Sequence, residues 1–505
     1  MSAAQGFHIV AVPPNEWGHM RPMIAFLSRL LALDSHLTVT LIVAESTVER
    51  SHLELSTQLA SESVTASDVR MKIVSVPVTM FWPAEQYLPQ LKKVYAQVVD
   101  EKQPDLALVE SMLHPFFDFA RSIAKKSFKI ACWLPVALPS WSSIAPICYI
   151  RDDPEGYVKE VEDIMKAEGT SYMESSNKAY FQRINGRRIS IPGFPEMSDY
   201  EGFPQEPPVI IPVAMVVDWV FGFRDADVLV TTTAHALEKQ GLEAFSHWLK
   251  DHPKGARILS VGPLTSKRIP EVAEKERLQA DESGLTLFLD KWVERKGNKS
   301  VLYICFGSVL QPADPEMLYA VFRVLLELNI PFVVVMNSSA EASVPPDLAH
   351  TMKESGLTFI SPWAPQQYVL SHPAVGWFLS HCGINGTLES LSLGVPMICW
   401  PLFADQPVLS ILVTQVYGCG YELTEVRRGF GLKYRASTGK TPTGKIEDII
   451  GEAKEVFTRA FFDEKEREKV TANVDQMANS LNAAWDRGGD ARNNALELLE
   501  FMRRK

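Results

Sequence analysis

The sequence predicts an α/β protein with two doubly wound, parallel-sheet domains, and three observations carry that prediction. Short apolar runs rich in Val, Ile and Leu recur along the chain. They are too continuously apolar for strands with one wet face, so helices must cover both faces. Stretches with a helical apolar period separate those runs, as crossovers between parallel strands require. The whole alternation occurs twice, on either side of Ser266–Gly284, which is charged, poor in large apolar residues and reads as an interdomain linker.

Composition agrees. At 505 residues the chain has room for two such domains. Its hydrophobic fraction of 46% and charged fraction of 22% are ordinary for a globular protein. A formal net charge of −11 and a pI near 5.6 argue against nucleic acid, whose binding demands a basic face. The six cysteines are scattered without a CxxC pair, most in strand-like runs, as reduced core thiols would be. No run of about 18 apolar residues occurs, so no transmembrane anchor is expected. The amino terminus, MSAAQGFHIVAVPP, has neither a basic n-region nor a long apolar core. A cytoplasmic monomer is the expectation.

In the first half, strands are expected at Phe7–Pro13, Leu37–Ala44, Val69–Pro77, Asp105–Glu110, Phe128–Pro135, Ala226–Thr233 and Ala256–Pro263. A helix over Pro22–Leu33 starts with proline, where the missing N–H costs nothing. Between Pro139 and Phe223 aromatics interleave with prolines, which reads as short helices packed by rings and as an apolar pocket wall. The second half expects strands at Ser300–Ser308, Pro331–Asn337, Leu357–Pro362, Ala374–Cys382, Pro396–Pro401 and Cys419–Leu423. Arg427–Thr443 is a glycine- and charge-rich loop, and the chain from Gly444 onward is helical. The resulting division is 1–265, a linker at 266–284, 285–480, and a terminal helix in 481–505 expected to pack back on the first domain.

The polar residues that carry chemistry gather in Trp363–Gln406, WAPQQYVLSHPAVGWFLSHCGINGTLESLSLGVPMICWPLFADQ. There a strand ends in a glycine-bearing turn, CGING, that opens a helix, so backbone N–H groups face outward and form an anion site. His381 precedes the turn as a cation-capable ring, Glu389 lies one turn into the helix, and Asp405 and Gln406 follow the next strand. Such a crevice, at the carboxyl ends of strands, suits a ligand with phosphate and many hydroxyls. FGS, Phe306–Ser308, ends the first strand of the same half and brings a glycine and a hydroxyl that can approach phosphate.

In the first half His19 stands at the first strand–helix turn, NEWGHMRP, and its ordinary pKa suits a general base at neutral pH. A base needs an orienting carboxylate, and Glu110 ends the fourth strand, which neighbours the first in many doubly wound sheets. Asp225-Ala226-Asp227 matches a D-x-D metal pattern but precedes a buried strand, so its carboxylates read as caps. No His, Cys or carboxylate cluster has metal-ligand spacing, and neither metal nor cofactor is expected.

Those 44 residues resemble the signature box of the plant secondary-product, family 1 UDP-glycosyltransferases, without a gap. Thinner likeness covers GHMRP, ISIPGFP, ADVLVTTT, SVGPL and KWVERKGNKSVLYICFGS. The resemblance implies a GT-B fold, two Rossmann-like domains facing a central cleft, with UDP-sugar on the second and acceptor on the first. It implies inverting, metal-independent transfer from a UDP-sugar to a hydroxyl of a small apolar acceptor such as a phenolic, flavonoid or terpenoid. Trp363 would stack on uracil, and Ala364 and Gln366 would line the nucleoside pocket. Glu389 would take the ribose hydroxyls. His381, Gly383, Asn385, Gly386 and Ser308 would surround the diphosphate. Asp405 and Gln406 would bind the sugar, with Gln406 pointing to glucose. His19 would be the base, and Trp82, Trp141 and Phe194 would line the acceptor pocket.

Three positions depart from the family pattern. Ile384 and Gly386 stand where tryptophan and serine are usual, and Ser111 stands where the aspartate partner of the histidine is expected. Either Glu110 replaces that aspartate from one position earlier, or His19 acts without a carboxylate. Two competing readings follow: a UDP-sugar-binding protein without turnover, and a UDP-sugar epimerase or hydrolase on the same fold.

Overall fold

Every strand expected from the sequence forms, trimmed at its ends. The structure, a computed structural model, describes residues 6–64, 70–81, 83–126, 128–137, 147–190, 193–205, 214–252, 254–266, 270–307 and 311–504. Strands β1 (Phe7–Val12), β2 (Leu37–Ala44), β3 (Met71–Val76), β4 (Leu106–Glu110) and β5 (Lys129–Leu134) come first. The short β6 (Arg188–Ile189) and β7 (Met197–Ser198) follow, then β8 (Val228–Thr231) and β9 (Arg257–Ser260). The second half contributes β10 (Val301–Cys305), β11 (Phe332–Val335), β12 (Thr358–Ser361), β13 (Val375–Ser380), β14 (Met397–Cys399) and β15 (Gly420–Glu422). Prolines at 13, 77, 135, 263, 362 and 401 lie just outside these strands. They cannot donate to a ladder, so pairing stops before them.

Contacts divide the chain into two compact units. Unit 1 comprises Met1–Pro192, Pro208–Arg268 and Ala484–Lys505, and holds a seven-stranded sheet in the order β3-β2-β1-β4-β5-β8-β9. Unit 2 comprises Gly193–Pro207 and Ile269–Ala483, and holds a six-stranded sheet in the order β12-β11-β10-β13-β14-β15. All pairings within both sheets are parallel. In each sheet the strand order reverses beside the unit's first strand, between β1 and β4 and between β10 and β13. Side chains that leave those strand ends therefore meet at a switch point, where open α/β sheets bind ligands.

Buried rings pack both units. Trp133 on β5 stacks over Phe26 at 5.6 Å in unit 1, and Tyr303 stacks over Phe378 at 5.0 Å in unit 2. Cys132, Cys305, Cys382, Cys399 and Cys419 are free, buried thiols. Among the described residues no helix is long and apolar enough to cross a membrane.

Three features differ from the sequence expectation. The first helix runs Trp17–Leu33, so His19 sits in its first turn and Pro22 lies inside the helix. The charged stretch read as a linker contains a helix, Pro270–Ser283, within unit 2. Gly193–Pro207 leaves the first half of the sequence and packs as part of unit 2. The terminal helix, Asp490–Arg503, packs in unit 1, where Arg503 pairs with Asp34 at 2.7 Å and the Asn494 amide donates to the Ser260 carbonyl at 2.8 Å.

Candidate active site

In unit 1 the β1–β4 switch point brings two expected residues together. His19 Nδ1 lies 3.6 Å from Glu110 Oε1, with the imidazole side chain 21% exposed and the carboxylate 1% exposed. At that distance the contact is longer than a hydrogen bond, and it becomes an ion pair only when the imidazole is protonated. Glu110 is fixed by its own turn: Oε2 accepts the Met112 N–H at 2.7 Å and Oε1 accepts the Ser111 hydroxyl at 3.0 Å. Ser111, in the place of the expected aspartate, thus donates to the carboxylate beside His19. The Trp133 indole N–H reaches the His19 carbonyl at 3.3 Å and anchors the helix turn from below.

Glu16, three residues before His19, was missed by sequence reasoning. Burial raises its carboxyl above the ordinary value, His19 opposes that shift and Glu110 adds to it. No sequence signal marked it, because the helix was expected to begin only at Pro22 and Glu16 is the N-cap of a helix that begins at Trp17. A deeper polar group also belongs to this unit. The Tyr87 hydroxyl is buried without a hydrogen-bond partner, and the charges of Asp218 and Glu110 both act on it. Burial pushes the Asp218 carboxyl up to about 7; His114 opposes the shift and Glu85 adds to it.

The D-x-D pair diverges. Asp225 accepts from His114 Nε2 at 2.8 Å, while Asp227 accepts the Ile130 N–H at 2.8 Å and pairs with Lys254. Both carboxylates tie elements of unit 1 together, as caps do. Trp82 and Trp141 lie outside the described residues, and Phe194 is half-buried in the Gly193–Pro207 segment of unit 2.

In unit 2 the β10–β13 switch point builds the anion site. Cys382 adopts φ +66°, the turn that lets β13 pass into the Ile384–Ser392 helix. The first intrahelical bond runs from Thr387 N–H to Gly383 C=O at 3.0 Å, so the N–H groups of the first turn point out of the helix end. His381 lies between two glycines. A Cβ at Gly307 would stand 2.8 Å from its Cε1, and one at Gly383 would stand 2.6 Å from its Nε2. Only glycine leaves room for the ring.

Burial lowers the His381 pKa to about 4, with a hydrogen bond to the Cys305 backbone opposing. The ring is therefore neutral at pH 7 and offers an N–H donor, where the sequence pointed to a cation; a bound diphosphate would draw the value back up. Ile384 is buried in the core and adds nothing to the crevice. Gly386 sits over Phe378, where a Cβ would meet the ring at an ordinary 3.6 Å, and Asn385 is half-buried beside it. Ser308 lies outside the described residues.

Trp363 is 52% exposed, an unusual state for so large a ring, with Ala364 buried next to it. Glu389 is buried, and both of its oxygens are held: Gln366 donates to Oε2 at 2.5 Å and Gln367 to Oε1 at 2.9 Å. Gln367 was not anticipated, although it stands next to Gln366. The two amides hold the buried carboxylate from both of its oxygens and so fix its orientation.

Asp405 is the buried N-cap of the Gln406–Ile411 helix. The Gln406 carbonyl oxygen accepts the N–H groups of Leu402 and Phe403, both at 2.9 Å. That leaves its NH₂ group to meet a ligand oxygen.

Comparison with known proteins agrees with this geometry. A family profile described as UDP-glucoronosyl and UDP-glucosyl transferase matches residues 276–424. The chain is 65% identical over 505 residues, 99% of its length and 100% of the other's, to UDP-glycosyltransferase eriJ of Hericium erinaceus. It is 30% identical over 251 residues to the nuatigenin 3-beta-glucosyltransferase of Solanum aculeatissimum, about half of each chain (50% and 49%). Its fold matches the crystal structure of Medicago truncatula UGT71G1 complexed with UDP-glucose, with a TM-score of 0.69, 18% identity and 98% of each chain covered.

Proposed function

Because this chain belongs to the UDP-glycosyltransferase family and has its GT-B fold, we propose that it transfers glucose from UDP-glucose to a hydroxyl of a small apolar acceptor, with inversion. The observation that carries the proposal is the His19–Glu110 pair: a buried carboxylate 3.6 Å from the imidazole of the β1 turn.

In this reading, the nearby Glu110 carboxylate favours the tautomer protonated on Nδ1, which makes Nε2 the basic atom. Nε2 takes the proton of the acceptor hydroxyl as its oxygen attacks the anomeric carbon, and the C–O bond to UDP breaks on the opposite face. A base so placed contributes about 10²–10⁴ in rate. The carboxylate then stabilises the imidazolium.

Unit 2 holds the donor. The exposed face of Trp363 takes uracil, and the Gln366–Glu389–Gln367 clasp presents carboxylate lone pairs to the ribose. The helix end after His381 receives the charge that grows on the leaving diphosphate, through preorganised N–H dipoles. Asp405 and the Gln406 amide read the sugar hydroxyls, and charge-assisted hydrogen bonds of about 1.5–3 kcal/mol each separate epimers. No metal is assigned a role. The UDP-glucose bound in the Medicago structure supports glucose as the first donor to try. A UDP-sugar-binding protein without turnover is the reading that Ser111 and Ile384 motivate, and the Ser111 hydroxyl donating to Glu110 weighs against the first of those motives.

The test is incubation with several UDP-sugars and a panel of phenolic, flavonoid and terpenoid acceptors. Acceptor-dependent UDP release and a product anomer opposite to the donor's are expected. Sugar conversion without any acceptor would instead establish an epimerase or hydrolase.

A further inference from the structure

Unit 2 contains a buried ionic network to which none of the donor-binding roles applies. Arg427 and Arg435 are each 1% exposed and Glu201 is 2% exposed. Glu422 ends β15 in register with Cys399 of β14, and from Cys399 the chain runs directly into the loop bearing Asp405 and Gln406. Arg427 pairs with Glu422 Oε1. Arg435 contacts the same carboxylate at 3.2 Å through each Nη and lies 3.6 Å from Glu201 Oε2 through Nε. Glu201 also accepts the Ser198 N–H at 2.9 Å and the Ala436 N–H at 2.8 Å, and bonds the Ser437 hydroxyl.

Neutral bonds run alongside. The Gln205 amide donates to the Val426 carbonyl at 2.8 Å, Arg428 N–H to the Pro204 carbonyl at 3.0 Å, and the Tyr200 hydroxyl to the Tyr434 carbonyl at 2.6 Å. Gly431 lies so close to this segment that a Cβ would stand 2.3 Å from the Pro204 oxygen. Gly193–Pro207 is thus fastened along the loop that follows β15.

Stability alone does not account for such a device. Well-packed apolar residues hold two segments together as firmly as a buried ion pair does. Here Arg427 Nε and Nη1 and Arg435 Nε are buried without hydrogen bonds, which costs stability. Burial pushes the Glu422 carboxyl up, and the Arg435 and Arg427 guanidiniums more than reverse that, so it stays ionised. Fixing the register between the groups they join is the best-attested use of buried ions. The turn that carries Glu201, Asp199–Gly202, packs against the Gln406–Ile411 helix, whose first residue and N-cap read the sugar.

We propose that the Glu201–Arg435–Glu422–Arg427 network is a positioning device for sugar selection: it holds the Asp199–Gly202 turn against the Gln406–Ile411 helix and so sets where Asp405 and the Gln406 amide meet the donor. The four side chains act through that helix and do not touch the sugar. The inference rests on the reading of Asp405 and Gln406 as the sugar-binding pair.

The experiment compares kcat/KM for the preferred UDP-sugar and for its C4 epimer, with the UDP inhibition constant and the melting curve measured on the same preparations. Glu201→Gln removes one charge and little volume. It is expected to compress epimer discrimination by about tenfold while UDP inhibition stays within about twofold, because only the sugar's hydrogen bonds are displaced. Tyr200→Phe and Gln205→Leu loosen the same clasp without stranding a charge and should move discrimination the same way, by less. They decide the matter if Glu201→Gln does not fold. Unchanged discrimination in folded variants, or parallel loss of sugar discrimination and UDP affinity, would overturn the proposal. Wild-type protein without turnover of any UDP-sugar would instead overturn the functional reading, a result distinct from either.

Discussion

Replacing Glu110 by Gln tests the base assignment with the least change of shape. The Met112 N–H, 2.7 Å from Glu110 Oε2, still needs an acceptor, so the amide oxygen takes that place. The NH₂ group then takes the place of Oε1, 3.6 Å from His19 Nδ1. A donor facing Nδ1 favours the tautomer protonated on Nε2, which cannot accept the acceptor's proton. The imidazolium also loses its counter-charge. Unit charges about 4 Å apart interact by about 4 kcal/mol at an effective dielectric of 20. Since His19 is 21% exposed and not hydrogen-bonded to the carboxylate, about 2–3 kcal/mol remains. That corresponds to a fall in kcat of about 30- to 150-fold, and the tautomer shift adds to it. Donor KM should stay within about twofold, because the residues proposed to bind the donor belong to unit 2 and do not include Glu110. Initial rates at saturating UDP-sugar, before and after Glu110→Gln, make the measurement, with Ser111→Ala as a milder control. A Glu110→Gln enzyme within about threefold of the wild-type kcat would refute the reasoning, since His19 would then work without a carboxylate.

Three further predictions concern single positions. Trp363→Ala should weaken UDP binding by calorimetry in proportion to a stacking loss of about 1–3 kcal/mol, with an unchanged melting temperature because the ring is half in solvent. Gly383→Ala should abolish tight UDP binding while the chain stays folded, because the new Cβ occupies the space 2.6 Å from His381 Nε2 and displaces the ring; native UDP affinity in that variant would count against the His381 role. Asp218→Asn should raise stability at high pH only. Its carboxyl is held at about 7 against an ordinary 3.8, so the wild type loses stability as pH rises from 3.8 to about 7 and is level above that. The Asn variant should gain about 2–4 kcal/mol in urea midpoint titrations at pH 8 and nothing near pH 3.8, and an equal gain at both values would contradict the burial of that carboxyl.

Much of this molecule was legible in the chain itself. Strands buried on both faces announce themselves by continuous apolar runs, and prolines mark where the ladders end, so both sheets could be read strand by strand. The β1–β4 neighbour relation followed from the doubly wound pattern, and with it the pairing of His19 with Glu110.

What stayed hidden depends on contacts distant in sequence or on burial. Nothing in ISIPGFPEMSDYEGFPQ shows that its second part packs in unit 2, because the partners that hold Glu201 lie more than 200 residues away: Ala436 and Ser437, at separations of 235 and 236. Glu389 could be assigned to a ligand but not to the two amides that orient it. The neutrality of His381 follows from burial, which composition does not encode. Glu16 went unnoticed in the sequence, and only the fold brings its carboxyl within reach of the charge of His19.

The central claim is that His19 removes the acceptor's proton while unit 2 independently holds the donor. Its most direct test is mass-spectrometric detection of the glycoside formed from UDP-glucose and the best acceptor, with UDP affinity measured alongside, for wild type and His19→Ala. The account predicts glycoside from the wild type, its loss by a factor of about 10² or more in His19→Ala, and the same UDP affinity for both. Glycoside formed by His19→Ala at the wild-type rate would contradict it.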